Sequence, residues 1–328
     1  MRAVVIRAPG GPEVLEVREL PDPPVPAGHV RVAVRYAGVN RADLLQRRGA
    51  YPSPPGAPAD VPGLEYAGVV ESVGEGVRSL APGERVFGIV GGGAYAELLV
   101  VHEREAARVP EGLDDRDAAA LPEAGLTAYD ALFTQARLEP GERVLVHAAG
   151  SGVGTAALQL AAQAGAFVVG TSRTLEKLER CADLGLAVGV VTRGEGFARE
   201  VLEATAGRGV DVVLDLVGGA YLPETLRACA PRARVVLVGL TAGARAEIDL
   251  GLVLSRRIAL RGTVLRSRPL EEKLELAAVL RDRLAPLAAR RRLRPIVDRT
   301  FSLAEAPAAH AHLEGNASFG KALLEVGA

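Results

Sequence analysis

The run VLVHAAGSGVGTAALQLAAQAGA, Val144 to Ala166, constrains the fold more than any other stretch of this 328-residue chain. A short β-type run, Val144 to Val146, gives way to closely spaced glycines and then to an Ala/Leu-rich stretch, Thr155 to Ala164. This order predicts a parallel strand, a turn and a helix. Gly150, Gly152 and Gly154 let the backbone turn and approach a pyrophosphate, and the turn residues Ser151 and Val153 lie at a helix N-terminus whose free N–H groups bind anions. The pattern is not literal, because Gly-x-Gly-x-x-Gly would place glycine at Thr155. Taken alone, the stretch leaves open a glycine-rich turn with no ligand.

The segments that follow narrow the choice. Phe167 to Thr171, Val188 to Val191, Val210 to Leu214, Arg234 to Val238 and Ile258 to Thr263 read as strands. Between them, Leu175 to Leu184, Phe197 to Ala206 and a short stretch from the Gly218-Gly219 turn to Cys229 read as helices. Such alternation predicts an α/β fold with a Rossmann-type, doubly wound, six-stranded parallel sheet. The end of its second strand bears on the dinucleotide. An enzyme preferring NAD places Asp or Glu about 20 residues past the glycines to hold the ribose 2′-OH. The window Val169 to Thr174 contains no acid; Ser172, Arg173 and, one helical turn on, Lys177 suit a 2′-phosphate instead. NADPH is therefore the expected cofactor. A solvated helix start with Glu176 and Glu179 as neighbours is the other reading of these cations.

The glycine turn lies near mid-chain, so a second domain is expected, at roughly 100–200 residues per domain. The N-terminal part carries short β-type runs: Val4 to Arg7, Leu15 to Glu19, Val30 to Tyr36, Glu65 to Val73, Arg85 to Ile89 and Tyr95 to Val101. Turns such as Ala81-Pro82-Gly83 and Gly91-Gly92-Gly93 bound them, and a partly open β-barrel fits. Ala50 to Pro62 is too proline-rich for strand or helix and reads as an ordered loop or lid. After Thr263 come a charged helix (Leu270 to Arg283), a strand (Ile296 to Phe301), a helix (Ala304 to Glu314) and a closing strand (Ala322 to Val326).

A net charge of −1 and 4% aromatic residues give no footing for nucleic acid or an acidic membrane. No apolar run approaches the roughly 20 residues of a membrane span, and MRAVVIRAPGG is too short and broken for a signal peptide, so the cytoplasm is the expected location. The two cysteines, Cys181 and Cys229, exclude a disulfide framework and a four-cysteine zinc site. Only Lys177, Lys273 and Lys321 are lysines among 39 cationic side chains, which singles each out for inspection.

Five segments carry a resemblance that covers essentially the whole chain: GVNRADLLQRRGAYPSPPGAP from Gly38, GLEYAGVVESVG from Gly63, AAALPEAGLTAYDAL from Ala118, HAAGSGVGTAALQLA from His147 and GTVLRSRPLEEK from Gly262. They resemble the quinone oxidoreductases of the medium-chain dehydrogenase/reductase superfamily, most closely the p53-inducible subgroup. The resemblance implies a GroES-like catalytic domain, residues 1–122 and 264–328, and a Rossmann NADPH-binding domain, residues 123–263. It also implies cofactor contacts from Asn40, Thr127, the 150–154 turn, Gly239, Leu240, Thr241, Thr263, Val264, Leu265, Arg266, Asn316 and Lys321. Arg266 is equally readable as a rim cation, and Lys321 as a surface charge. Thr192 stands where relatives commonly have tyrosine beside the 2′-phosphate.

Zinc alcohol dehydrogenases of this superfamily have Cys-His and Gly-His-Glu where this chain has Asn40-Arg41 and Gly63-Leu64-Glu65, so no metal site is expected. His310 and His312 read as an exposed helical pair. Hydride addition to a quinone needs no metal, because its product is an aromatic hydroquinone anion that solvent protonates. Asn40 and Tyr51 are the candidate catalytic residues, for hydrogen bonds to the acceptor or ribose; a turn residue and a packing aromatic are the plainer readings. The expected function is an NADPH:quinone reductase, acting as a homodimer or tetramer through its sixth-strand edge. Reduction of an α,β-unsaturated carbonyl or enoyl thioester is the alternative. A non-catalytic, crystallin-like or RNA-binding role is the alternative of another class.

Overall fold

The computed structural model describes residues 1–193 and 196–327. The chain divides into two units, Met1–Leu126 with Leu265–Ala328, and Thr127–Val264. Gly194, Glu195 and Ala328, which fall within the domain ranges expected from the sequence, lie outside the described residues.

The second unit is a six-stranded parallel sheet. Its spatial order is Val188–Val191, Phe167–Ser172, Arg143–Val146, Val210–Asp215, Cys229–Leu237 and Ala259–Gly262. In chain order this is 3-2-1-4-5-6, the Rossmann arrangement. Val144, Leu145, Val146, Val168, Val169, Val212, Val213, Leu214, Val235 and Val236 are all fully buried. Strands covered on both faces read as unbroken apolar runs, which is why these strands were legible in the sequence. The fifth strand starts earlier than expected, at Cys229. Its pairing shifts between Val210 and Val212, and Arg232 adopts φ 65°, so the extended segment runs through Pro231 as an irregular stretch.

The first unit is the one that the resemblance implies to be GroES-like. Its seven-stranded sheet runs Val297–Ser302, Lys321–Glu325, His29–Val39, Glu65–Val73, Arg85–Ile89, Ala107–Arg108, with Leu98–His102 pairing His29–Val39 as well. Lys321–Glu325 therefore brings the tail of the chain against Val39, the residue before Asn40. Tyr95 and Ala96 were expected to start the sixth strand. They turn instead toward the N-terminal hairpin, where the Val4 N–H donates to the Tyr95 carbonyl at 2.8 Å and Ala96 bridges Ala3.

A helix not expected from the sequence, Arg41–Arg47, follows Asn40. Asp43 in its first turn accepts from the Asn40 N–H at 2.8 Å, half of a capping box. Its buried residues include Arg47 and Gln46, polar types that hid the apolar face on which a sequence reading depends.

His310 and His312 do not form an exposed pair. His310 is fully buried, its Nε2 3.3 Å from the Tyr95 hydroxyl and its Nδ1 3.3 Å from Arg47 Nη1. Burial, aided by the Arg47 charge, drives its imidazole down to about 3. His312 is half-buried and pairs with Asp298 at 2.7 Å. The tail helix Ala306–Glu314 packs into the core of the seven-stranded sheet, and the histidines go in with it.

Candidate active site

The glycine turn follows the strand Arg143–Val146 and enters the helix Gly152–Gln163. Ser151 caps this helix, its Oγ accepting from the Gly154 N–H at 3.0 Å. The N–H groups of Gly152 and Val153 have no partner within their own helix and point out of a helix N-terminus, the arrangement that receives a phosphate. The left-handed residue of the turn is Ala148, φ 51°, and not one of the three glycines that were expected to supply the bend. Gly154 is required by packing: a Cβ there would lie 2.4 Å from the Ala148 carbonyl oxygen.

Most other dinucleotide candidates of this unit lie at the carboxyl end of a strand, the side on which doubly wound sheets bind ligands, while Thr127 and Lys177 lie on the helices Pro122–Tyr129 and Leu175–Cys181. Ser172 ends its strand buried, with its Oγ accepting from the Thr174 N–H at 3.3 Å, and Arg173 beside it is exposed. Lys177 lies half-buried on the next helix. Thr192 is buried against Ser172, its N–H donating to the Ser172 carbonyl at 2.8 Å, and its hydroxyl hydrogen-bonds the Tyr221 phenol. Thr241 Oγ1 donates to the Leu216 carbonyl at 3.3 Å, with Gly239 and exposed Leu240 in the same turn. Thr263 Oγ1 donates to Asp130 at 2.6 Å, while Val264 is exposed and Thr127 is buried. His147, next to the turn, is a buried core residue held between Thr171 and Thr225 at 2.8 and 2.9 Å; burial lowers its pKa.

In the first unit, Asn40 belongs to a buried polar cluster that sequence reasoning missed. Its Nδ2 donates to Glu65 Oε1 at 2.9 Å, and its Oδ1 accepts from Lys321 Nζ at 2.6 Å. Lys321 also reaches the Val39 carbonyl at 3.2 Å and Glu65 Oε1 at 2.5 Å. Glu65 Oε2 accepts the Glu123 N–H at 2.8 Å. Glu65 is fully buried and Lys321 is 5% exposed, so the lysine is not a surface charge. Gly38 makes room for this cluster, since a Cβ there would lie 2.0 Å from Glu65 Oε1. Nearby, Asp43 also accepts from the Gly63 N–H at 3.1 Å and the Tyr95 hydroxyl at 3.1 Å. Burial raises Asp43 to about 6 against the opposing pull of these donors and Lys321. Burial and the neighbouring Glu65 charge raise the Glu123 carboxyl to about 8. The scarcity of lysine and the family resemblance both pointed at Lys321, and Asn40 and Glu65 were each singled out by motif; what the sequence did not show is that the three side chains meet.

Tyr51 is half-buried on the proline-rich loop, its phenol pushed up by burial, with Arg266 pulling the other way. Arg266 is buried against that loop, and Leu265 before it is buried as well. Asn316 adopts φ 55° and its Oδ1 accepts from Arg41.

These residues do not fit a catalytic zinc. Asn40 offers an amide where a thiolate would be needed, Leu64 offers no donor, and the Glu65 carboxylate already faces an ammonium. Among the described residues no group of three or more His, Cys, Asp or Glu side chains is arranged to hold a metal. They do fit a nicotinamide dinucleotide, through the capped helix N-terminus and the strand ends around it.

A Rossmann-type sheet in one unit and a GroES-like sheet in the other define a two-unit dehydrogenase/reductase architecture. Two family models match: the alcohol dehydrogenase GroES-like domain over residues 26–111 and the zinc-binding dehydrogenase family over residues 152–280. The Escherichia coli quinone oxidoreductase complexed with NADPH is 31% identical with a TM-score of 0.89, over 99% of this chain and 100% of that one. The CurK enoyl reductase is 27% identical with a TM-score of 0.86, over 99% of this chain and 98% of that one. The chain belongs to the medium-chain dehydrogenase/reductase superfamily. Among curated relatives, the quinone oxidoreductase of Rattus norvegicus is 42% identical over 179 residues, 54% of either chain. Erythronolide synthase EryA2 of Saccharopolyspora erythraea is 50% identical over 149 residues, which are 45% of this chain. The match thus spans about half the length of the first of these and 4% of the second.

Proposed function

We propose that this protein is a zinc-independent, NADPH-dependent quinone reductase of the cytoplasm. What carries the reading is a capped dinucleotide turn whose second strand ends in a hydroxyl and a guanidinium, in a chain similar over its length to an NADPH-complexed quinone oxidoreductase. The N–H groups of Gly152 and Val153 hold the pyrophosphate, with Gly150 and Ser151 shaping the cradle. Ser172, Arg173 and Lys177 hold the 2′-phosphate. Gly239, Leu240, Thr241, Thr263, Val264 and Leu265 supply contacts from beyond the strand ends to the rest of the cofactor, Thr127 supplies one from the helix Pro122–Tyr129, and Asn316 is a further contact from the tail.

When bound, NADPH supplies a hydride; with one proton, the quinone becomes a hydroquinone and NADPH becomes NADP+. Tyr51 holds its proton at neutral pH and donates a hydrogen bond to the acceptor oxygen as charge builds there. Asn40 gives its two N–H groups to Glu65 and to the Gly38 carbonyl, so in the orientation fixed by Glu65 and Lys321 it offers its Oδ1 to a ribose hydroxyl. Lys321 uses its three donors on Glu65, Asn40 and Val39, so it serves the site through Asn40.

The test is side-by-side turnover of 1,4-benzoquinone and 2-alkenals with NADPH, for the wild type and Tyr51→Phe. Quinone turnover that falls about tenfold or more in Tyr51→Phe supports the reading. Inactivity toward quinones overturns it. Turnover of 2-alkenals alone would favour the second reading, reduction of α,β-unsaturated carbonyls or enoyl thioesters, which is supported by the likeness to an enoyl reductase and to polyketide synthases.

A further inference from the structure

Arg266 and the Ala50 to Pro62 loop are joined by a set of contacts that neither explains alone. Arg266 Nε donates to the Gly91 carbonyl at 2.7 Å and Nη1 to the Tyr51 carbonyl at 3.2 Å. Nη2 donates to Gln46 Oε1 at 2.6 Å and to Ser53 Oγ at 2.9 Å. The guanidinium carbon also lies 5.1 Å from the centroid of the Tyr51 ring, within cation–π range. Gln46 completes the circuit: its Nε2 donates to Ser53 Oγ at 2.9 Å and to the Ala59 carbonyl at 3.1 Å. The Gly91-Gly92-Gly93 turn admits this packing, for a Cβ on Gly91 would lie 2.9 Å from Pro54 Cγ.

A guanidinium has five N–H groups in a rigid fork, and four are directed at acceptors on three separate segments. One N–H remains, too few for a bidentate grip on a phosphate. All four acceptors are neutral, and among the described residues no carboxylate forms an ion pair with the guanidinium; burial lowers its pKa, with the more distant charges of Asp43, Tyr51 and Glu123 opposing. A cation kept under those conditions on four bonds to loop, helix and turn acts on shape.

We infer that Arg266 is a positioning residue for the acceptor: it braces the proline-rich loop in one conformation and sets the place of the Tyr51 ring. The loop is then a fixed wall and not a lid, and acceptor selection depends on Arg266 without contact to the cofactor phosphates. The inference rests on the reading of Tyr51 as the acceptor-side hydrogen-bond donor.

The full-length protein serves for the test, as wild type, Arg266→Gln, Arg266→Lys and Ser53→Ala. Three quantities are measured: hydrogen exchange of the 50–62 amides, NADPH affinity by fluorescence titration, and kcat and KM for 1,4-benzoquinone. Arg266→Gln should speed exchange at Tyr51 and Ser53 and raise the acceptor KM about tenfold, with NADPH affinity within about twofold of wild type. Arg266→Lys, which keeps the charge but not the fork, should recover part of the KM. Ser53→Ala, which leaves the guanidinium in place, should shift both readouts the same way by less, and it carries the test if the arginine variants do not fold. Unchanged loop exchange overturns the brace. Weakened NADPH binding with an unchanged acceptor KM overturns it too, by making Arg266 a cofactor contact. If the wild type reduces no acceptor, the functional reading fails, while the exchange measurement still decides the brace.

Discussion

Lys321 Nζ lies 2.5 Å from Glu65 Oε1, and both side chains are buried, one at the start of the closing strand and the other at the start of the fourth. Two charges withdrawn from water in this way depend on each other. Removing one leaves the other unpaired, at a cost of about 3–5 kcal/mol, whereas removing both costs far less. Lys321→Met should therefore lower the melting temperature markedly, and Lys321→Met combined with Glu65→Gln should recover much of the loss. Calorimetry on the two variants reads the coupling. Additive losses would refute a mutually dependent pair.

The acid-free end of the second strand predicts cofactor choice. With Arg173 and Lys177 on the 2′-phosphate, Lys177→Ala should weaken NADPH about tenfold, the worth of one charge-assisted hydrogen bond, and leave NADH almost unchanged. Titration of both nucleotides into wild type and variant checks this. Equal affinity of the wild type for NADH and NADPH would remove the 2′-phosphate assignment.

Glu123 predicts a pH dependence of stability. Its folded-state pKa, about 8, stands above the usual carboxylate value of 4.5 because of burial first and then the charge of Glu65, with Lys321 and Arg266 opposing and Asp43 adding. For a carboxyl raised on folding, the contribution is full below 4.5 and is lost progressively as pH rises to about 8. The wild type should melt at a lower temperature at pH 8.5 than at pH 5.5, and Glu123→Gln should flatten that difference. Thermal melts across this range decide the matter, and a wild type that becomes more stable with rising pH contradicts it.

The sixth strand, Ala259–Gly262, is a sheet edge with Leu260 42% exposed, and the preceding helix Leu250–Arg256 leaves Leu254 80% exposed. An open edge with apolar neighbours pairs with a second copy unless something covers it. Light scattering should give a dimer for the wild type, and Leu260→Arg with Leu254→Glu should give a monomer. A monomeric wild type would rule out this interface.

How much could be read beforehand depended on which forces each residue answers to. The four inner strands of the second unit announced themselves because both faces are buried, as Leu145 and Val213 illustrate, whereas the edge strands Val188–Val191 and Ala259–Gly262 are largely exposed. The strand-end position of Ser172 followed from the same local pattern, but the helix after the glycine turn begins at Gly152, three residues before the expected Thr155, so the capping role of Ser151 did not. The Arg41–Arg47 helix did not, since its packed face includes Gln46 and Arg47, whose partners come from remote segments. Nor did the pairing of Lys321 with Glu65, residues far apart in the chain that only the sheet pairing of the tail with Val39 brings together. Local periodicity reports local structure; long-range polar pairing leaves no periodic trace. Arg266 was visible as a cation, but its acceptors on Gly91, Tyr51 and Gln46 were not.

Gly38 has a further consequence for descent within the superfamily. Its missing Cβ makes space for Glu65, which in turn holds Lys321 and Asn40. Exchanging Asn40 for cysteine to rebuild a metal ligand would remove the lysine's acceptor and set a second anion beside Glu65. Exchanging Lys321 first would strand the glutamate. A stepwise path between the metal-binding and ammonium-holding versions of this pocket that begins at Lys321 or Glu65 thus crosses an intermediate with an unpaired buried charge, which favours orders of substitution that begin elsewhere.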